Sequence, residues 1–411
     1  PAALGRLIFC VGHVAMKTLV HIESCRKQLD KRRSALADGD ATADRLAQEL
    51  GTSAAAAEEQ LDVLDQMAQT NIVTNPNSLL GAWAPLVIAV CKNSNNAFGA
   101  ELRASATLTM CKLMCVSSEF CESQLQLLFT VMKNEPEQSI RANIAIALGD
   151  LFFRHPNILT PWTAHLYAQL RDGEPRVRKN VLMVLMHLIL NDMVKVQGQV
   201  SELALCLLDA DERIAALAKL FFTEFAKKGT SPVYNLLPDI VSSLGTQESL
   251  SADGFREILG FLITFIQKDR QTESMVEKLC LRFDTSDAVQ HHRQVAFCLG
   301  ALTHTDKSVK KLIELFRTYG NKLGDDEVLA SFQSLTAKAR KGFGVKAETK
   351  AALDELDTML CPSQATEGDE AAAGATAEDG ASAAGAPTPK AAAPTPKAAA
   401  KKPAAKAKAT R

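Results

Sequence analysis

Three cysteines crowd into the run CKLMCVSSEFC: Cys111, Cys115 and Cys121. Thiolates ligate zinc, but a structural zinc site wants CxxC or CxxH pairs and a fourth donor. No such pair follows. Cys111 and Cys115 stand four residues apart, which places them on one face of a helix beside Leu108 and Met110. They read as small hydrophobes of a core, and ten scattered cysteines without a pairing pattern point to a reducing compartment, cytosol or nucleus. Asp209 and Asp211 could be imagined around a cation, but they lie in a turn between helical runs, where aspartate caps. His291 and His292 read as a solvated helix start, and His187, beside Leu188, as a core or groove residue. There is no GxxxxGK[ST] loop, no dinucleotide-binding glycine turn, no HExxH and no nucleophile elbow. The chain therefore reads as a binding protein rather than an enzyme, with no catalytic residue, metal, cofactor or small-molecule substrate.

Binding chemistry concentrates in the basic residues. Lys390, Lys397, Lys401, Lys402, Lys406, Lys408 and Arg411 close the chain without an acid among them. Overall, 46 basic residues nearly balance 47 acidic ones, so residues 1–385 hold 39 against 47, a net of −8. An acidic body carries a basic tail, and such a tail suits phosphate neutralisation on DNA or contact with acidic histone surfaces. Thr388 and Thr395 each open a Thr-Pro-Lys triplet, a minimal proline-directed phosphosite. A phosphate there adds about −1.5 to −2 charge and opposes the tail's cations. Within the body, Arg26, Lys27, Arg32 and Arg33 fall over two helical turns and form a second candidate DNA contact. The clusters around Arg171–Lys179, Lys307–Lys311 and Lys338–Lys341 read as solvated faces paired with nearby acids. Arg141 and Arg178 read as partners of turn acids in the neighbouring repeat.

The elements that hold these residues are helices. The chain is 47% hydrophobic and 5% aromatic, rich in Leu and Ala, which favours helix over sheet. Aligning Leu102, Ile140, Val177 and Ile214 gives steps of 38, 37 and 37 residues. Apolar residues recur four, eight and eleven positions after each anchor, with Leu148 and Leu185 at the eighth, and these offsets form one helical stripe. Each stripe follows a turn-rich stretch and an earlier amphipathic run: Glu119–Met132, Pro161–Leu170 and Val200–Leu208. Paired helices at this period predict an all-α, HEAT-repeat α-solenoid followed by a disordered basic tail. Residues 1–31 form the first helix of the array (Leu4–Lys31), 32–77 a variable insertion with a helix over Ala54–Thr70, 78–361 the solenoid and 362–411 the tail. Beyond the four aligned repeats the predicted helices include Ser308–Tyr319, Glu327–Arg340 and Lys346–Met359. The apolar runs Leu79–Cys91 and Asn180–Leu190 fall short of the ~20 residues of a membrane span. The opening PAALGRLIFCVGHVAM has no small-residue cleavage site of a signal peptide, and its lack of a leading Met suggests a processed chain or a piece of a longer one.

The repeat block resembles a known family. KLMCVSSEFCESQLQLLFT (112–130), RANIAIALGDL (141–151), PWTAHLYAQLRD (161–172) and VRKNVLMVLMHLILNDMVKVQGQVSELALCLLD (177–209) are similar to condensin complex subunit 1, the non-SMC, HEAT-repeat subunit of condensin I. IAALAKLFF (214–222), YNLLPDIVSSL (234–244), KDRQTESMVEKLCLRF (268–283) and GHVA (12–15) extend the likeness. It fails over 27–77 and in the tail, Met186 stands where Thr is expected, and the loop around 245–253 diverges. The resemblance implies the C-terminal part of a longer regulatory subunit acting in mitotic chromosome condensation. It also implies a kleisin and two SMC ATPases as partners, contact with DNA and histones, and residence in the nucleus and on mitotic chromosomes with a cytoplasmic pool. ATP hydrolysis would reside in the SMC partners, and no membrane partner is implied. The alternative is a HEAT-repeat adaptor of nuclear transport or of the phosphatase-scaffold type.

Overall fold

The computed structural model of the chain describes residues 2–39, 59, 62–195, 198–228, 232–341 and 347–360. The tail 362–411, with its seven cations and Thr388 and Thr395, lies outside the described residues, as do the side chains of Arg32 and Arg33 and residues 54–58, 60 and 61 of the Ala54–Thr70 segment.

Helices α1 (Ala2–Gly39), α2 (Ala84–Lys92), α3 (Ala100–Val116), α4 (Ser118–Asn134) and α5 (Gln138–Arg154) open the array. They are followed by α6 (Thr163–Ala168), α7 (Pro175–Leu190), α8 (Val200–Leu205) and α9 (Glu212–Ala226). The remainder is α10 (Pro232–Gly245), α11 (Ala252–Ile263), α12 (Asp269–Cys280), α13 (Val289–Ala301), α14 (Asp306–Glu314), α15 (Asp326–Arg340) and α16 (Ala347–Leu360). No strand occurs among the described residues. The helices form two layers. α1, α3, α5, α7 and α9 lie side by side in one, and α11, α13 and α15 pack in series in the same manner. α8, α10, α12, α14 and α16 succeed one another in the other layer. This is the all-α, HEAT-like solenoid arrangement of stacked helical hairpins.

Local chemistry explains the boundaries. Ser117 starts α4 by accepting the Phe120 amide at 3.2 Å, and Asp211 starts α9 by accepting the Arg213 amide at 2.9 Å. Pro175 occupies the first turn of α7, where its missing N–H leaves no bond unmade. The helices α3, α5, α7 and α9 begin at 100, 138, 175 and 212, in step with the anchors. The anchors Leu102, Ile140, Val177 and Ile214 are buried, as are Leu148 and Leu185 at the eighth position. Each such burial contributes about 1.5–3 kcal/mol relative to exposure.

Several elements differ from expectation. α1 continues to Gly39 rather than stopping at Lys31, so it enters the segment read as an insertion. Its stretch Ala2–Lys31 is long and apolar enough by length and composition to cross a membrane. Counting only uncharged runs overlooked this, because Arg6 and Lys17 interrupt the run. In the fold, one face of α1 (Ile8, Val11, Ala15 and Leu19) is buried against its neighbours. Contact with α3 is close at Gly12, where a β-carbon would stand 2.8 Å from Thr109 Oγ1. That hydroxyl donates to the Ile8 carbonyl at 2.9 Å. The Pro161–Leu170 helix is reduced to α6 between two tight turns. The Ser308–Tyr319 helix breaks at Leu315, which leaves the helical region with ψ 11°. The Tyr319 hydroxyl turns back to donate to the Leu312 carbonyl at 2.9 Å. His292 is not a solvated helix start. It is buried, with Nε2 2.8 Å from the Ser286 carbonyl oxygen and its ring stacked on Phe283 at 5.9 Å.

Candidate interaction groove

The three candidate zinc cysteines are buried thiols, and no group of three or more His, Cys, Asp or Glu among the described residues could hold a metal. Burial pushes Cys115 and Cys121 up to about 12, with smaller contributions from nearby acidic groups, so neither is a thiolate. Asp211 caps α9, and Asp209 accepts both Arg178 and the Asp211 amide. These residues hold the fold together.

One surface suited to binding among the described residues is a trough of about 830 Å³ over α1, α3, α5 and α7. Six positions after each anchor stand Leu108, Ile146, Met183 and Leu220, on the helix face away from the buried stripe, and the first three of them line the trough. Ile146, Met183 and Leu220 are each 49% exposed, and Phe153 (69%) and Val20 (56%) border the same trough. The aliphatic row therefore starts at the half-buried Leu108 and is open at the next three repeats. Individual exposed hydrophobes are ordinary, but a contiguous row marks an interaction site.

A polar row runs beside it. Ten positions after the anchors stand Lys112, Asp150, His187 and Glu224. Lys112 Nζ sits 4.3 Å from the centroid of the Phe9 ring, a cation–π contact, and desolvation holds its pKa below the usual lysine value. His187 Nδ1 is 3.1 Å from the Asn191 amide nitrogen, and Glu224 accepts Lys227 at 2.7 Å. Asp150, one turn from Ile146 and one from Phe153 on α5, has no hydrogen bond or ion pair among the described residues. Its apolar surroundings hold the carboxyl above the usual carboxylate range. The adjacent Arg154 is engaged with Glu23 of α1 at 3.1 Å. Such a lining, apolar with one unpaired carboxylate, is suited to holding a polypeptide.

Of the predicted DNA-contacting residues of the body, Arg26 and Lys27 do not line this trough. Arg26 donates to both oxygens of Asp65, at 2.9 and 3.3 Å, and Lys27 is exposed on α1. Each of the other basic clusters has members already engaged. Arg171 pairs with Glu202, Lys311 with Glu314, and Arg340 with Asp354 and Asp357, while Lys338 donates to the Gly300 carbonyl. Sequence reasoning placed His187 in a core or groove, and it lines the trough, but the exposed row at the sixth position went unnoticed.

Comparison with known proteins agrees with the repeat block. Residues 139–300 match the family described as non-SMC mitotic condensation complex subunit 1. The chain is 42% identical over 376 residues to the condensin-1 complex subunit CAP-D2 of Arabidopsis thaliana, covering 87% of this chain and 26% of that one. It is 38% identical over 371 residues to condensin complex subunit 1 of Homo sapiens, covering 87% and 26%. To condensin complex subunit 1 of Saccharomyces cerevisiae it is 33% identical over 326 residues, covering 76% and 28%. The chain thus spans about a quarter of the length of these relatives. Long stretches of shared sequence, the matched family and the stacked hairpins lead to one conclusion: the chain belongs to the family of condensin complex subunit 1.

Proposed function

We propose that this chain is part of a regulatory, non-catalytic subunit of a condensin complex acting in mitotic chromosome condensation. In this reading the helical array scaffolds a kleisin subunit and SMC ATPases, and cations of the tail and of α1 contact DNA and histones. It works in the nucleus and on mitotic chromosomes. The observation that carries the proposal is the likeness to condensin subunits over 87% of the chain. The open apolar row across Ile146, Met183 and Leu220 supports it, because a scaffold needs exposed surface for partners. ATP hydrolysis belongs to the SMC partners, and this chain contributes binding. A transport adaptor or phosphatase scaffold would share the hairpins but has no reason to share these long runs of sequence.

The test is a pull-down of the tagged chain from mitotic cells with identification of the chains that co-purify. SMC and kleisin chains in near-stoichiometric amounts are expected. Recovery of transport receptors or a phosphatase catalytic subunit in their place would overturn the proposal.

A further inference from the structure

We propose that the trough over α1, α3, α5 and α7 receives an extended segment of a partner protein in which a Lys or Arg, placed over Asp150, is flanked by large apolar side chains. This deepens the scaffold reading above and rests on it. Chemistry and dimensions specify the occupant together. The apolar row asks for apolar side chains, and Asp150 is the member of the parallel polar row left without a partner. Lys112 is held over Phe9, and His187 is bonded to Asn191. Asp150 stands beside Ile146, Phe153 and Met183 without a cation of its own, so a Lys or Arg delivered by the partner complements its charge. Glu23 and Arg154 already satisfy each other at the rim, so they neither supply nor compete for that cation.

The dimensions accommodate an extended chain. Helices packed side by side are spaced about 8–10 Å apart, so the trough runs for about 27 Å over four of them. A single extended chain laid along the trough reaches the lining residues of all four helices. At about 3.3 Å per residue such a chain passes from one helix to the next in roughly three residues. The apolar side chains of the partner therefore recur every third residue, with the cation between two of them.

The experiment places a photocrosslinking benzoylphenylalanine at Met183 in the full chain, assembled with its co-purifying partners, and maps crosslinked peptides by mass spectrometry. The expected product joins residue 183 to a partner segment bearing a Lys or Arg between apolar residues. Asp150→Lys lowers its yield about tenfold or more, and Asp150→Asn lowers it by a smaller factor. Both variants keep the parental circular-dichroism melt, since residue 150 is exposed. Crosslinks to residues 362–411 of this chain, to a second copy, or to a segment without a cation would overturn the proposal. So would the absence of crosslinks, or a yield indifferent to Asp150→Lys. If SMC and kleisin chains co-purify in any of those cases, the trough assignment alone has failed; if they do not co-purify, the scaffold reading has failed as well.

Discussion

Arg178 grips Asp209 with a two-pronged ion pair, Nε donating at 2.7 Å and Nη2 at 2.8 Å, across 31 residues of chain. Its remaining nitrogen, Nη1, donates to the carbonyls of Asp172 and Gly173 at 2.9 and 3.1 Å. One repeat earlier Arg141 does the same with Asp172 (2.8 and 2.9 Å) and the carbonyls of Glu135 and Pro136. Arg103 pairs with Glu135 at 2.8 Å, and the arrangement returns further along as Arg293 with Asp325 at 2.7 Å. Arg141 and Arg178 thus each tie the turn before their own helix to the turn before the next one of the layer. The acids show the balance of forces. Desolvation alone would raise Asp209, but the Arg178 hydrogen bond, the Asp211 amide and the Arg178 charge outweigh it and hold the carboxyl below its usual value.

Replacing Arg178 by Ala should cost about 1–3 kcal/mol, because Asp209 keeps its desolvation and two turn carbonyls lose a donor. Arg178→Lys should recover only part of this, since an ammonium cannot reproduce the fork. Equilibrium urea unfolding measures both. An unchanged midpoint for Arg178→Ala would show that the pair contributes nothing to cohesion between repeats.

Placing Asp at Leu185 or Leu148 brings a charge into a fully buried position of the shared stripe. Neighbouring repeats should unfold together, with a loss of at least about 3 kcal/mol, the scale of removing such a leucine side chain before any charge is counted. A folded variant with the parental circular-dichroism melt would refute the repeat alignment.

The stripe at offsets 0, 4, 8 and 11 could be read from sequence because four copies agree and 3.6-residue periodicity leaves little else for them to do. The row at offset 6 was equally periodic. Leu108, Ile146, Met183 and Leu220 lie about 240° from their anchors, where a lone apolar residue is unremarkable, so their repetition was overlooked. The burial of His292 escapes a local reading for a related reason. Its polar neighbours suggested solvent, yet it occupies the anchor position just before Arg293, as Ile140 stands before Arg141 and Val177 before Arg178. Aligning on the arginine would have placed it in the core. The breaks at Leu315 and in the Pro161–Leu170 run depend on tertiary contacts, such as the Tyr319 hydroxyl on the Leu312 carbonyl, that no local pattern encodes.

His304 makes stability depend on pH. Burial pushes its imidazole down to about 4; the Leu299 carbonyl opposes the shift and the Lys338 charge adds to it. The unfolded chain, with a histidine pKa near 6.5, binds the proton more readily than the folded one. The contribution is therefore fully present above about pH 6.5 and is lost as pH falls toward 4. Melting temperatures should fall across that window, and His304→Asn should flatten the fall. An equally steep fall in the variant would move the effect to other groups.

The thiols should separate by burial. Cys10 is exposed, whereas burial raises Cys115, Cys280 and Cys298 far from ionisation. In native protein at pH 8, iodoacetamide followed by peptide mapping should modify Cys10 first. The three buried thiols should react only on unfolding, at least about a hundredfold more slowly. Early modification of Cys298 would contradict the packing of α13.

The tail prediction follows from counterion release. If the seven cations from Lys390 to Arg411 all meet phosphates, deleting residues 386–411 should flatten the plot of log affinity for duplex DNA against log salt. The loss of slope is at most about 6, because each neutralised phosphate contributes about 0.9. Thr388→Glu with Thr395→Glu adds two negative charges among those cations and should flatten the slope by about 2, weakening binding most at low salt. Fluorescence anisotropy between 50 and 200 mM salt distinguishes the outcomes. A slope unchanged by the deletion would assign DNA contact to the helical array, where Lys27, with Arg32 and Arg33 beyond it on α1, becomes the next set of cations to replace.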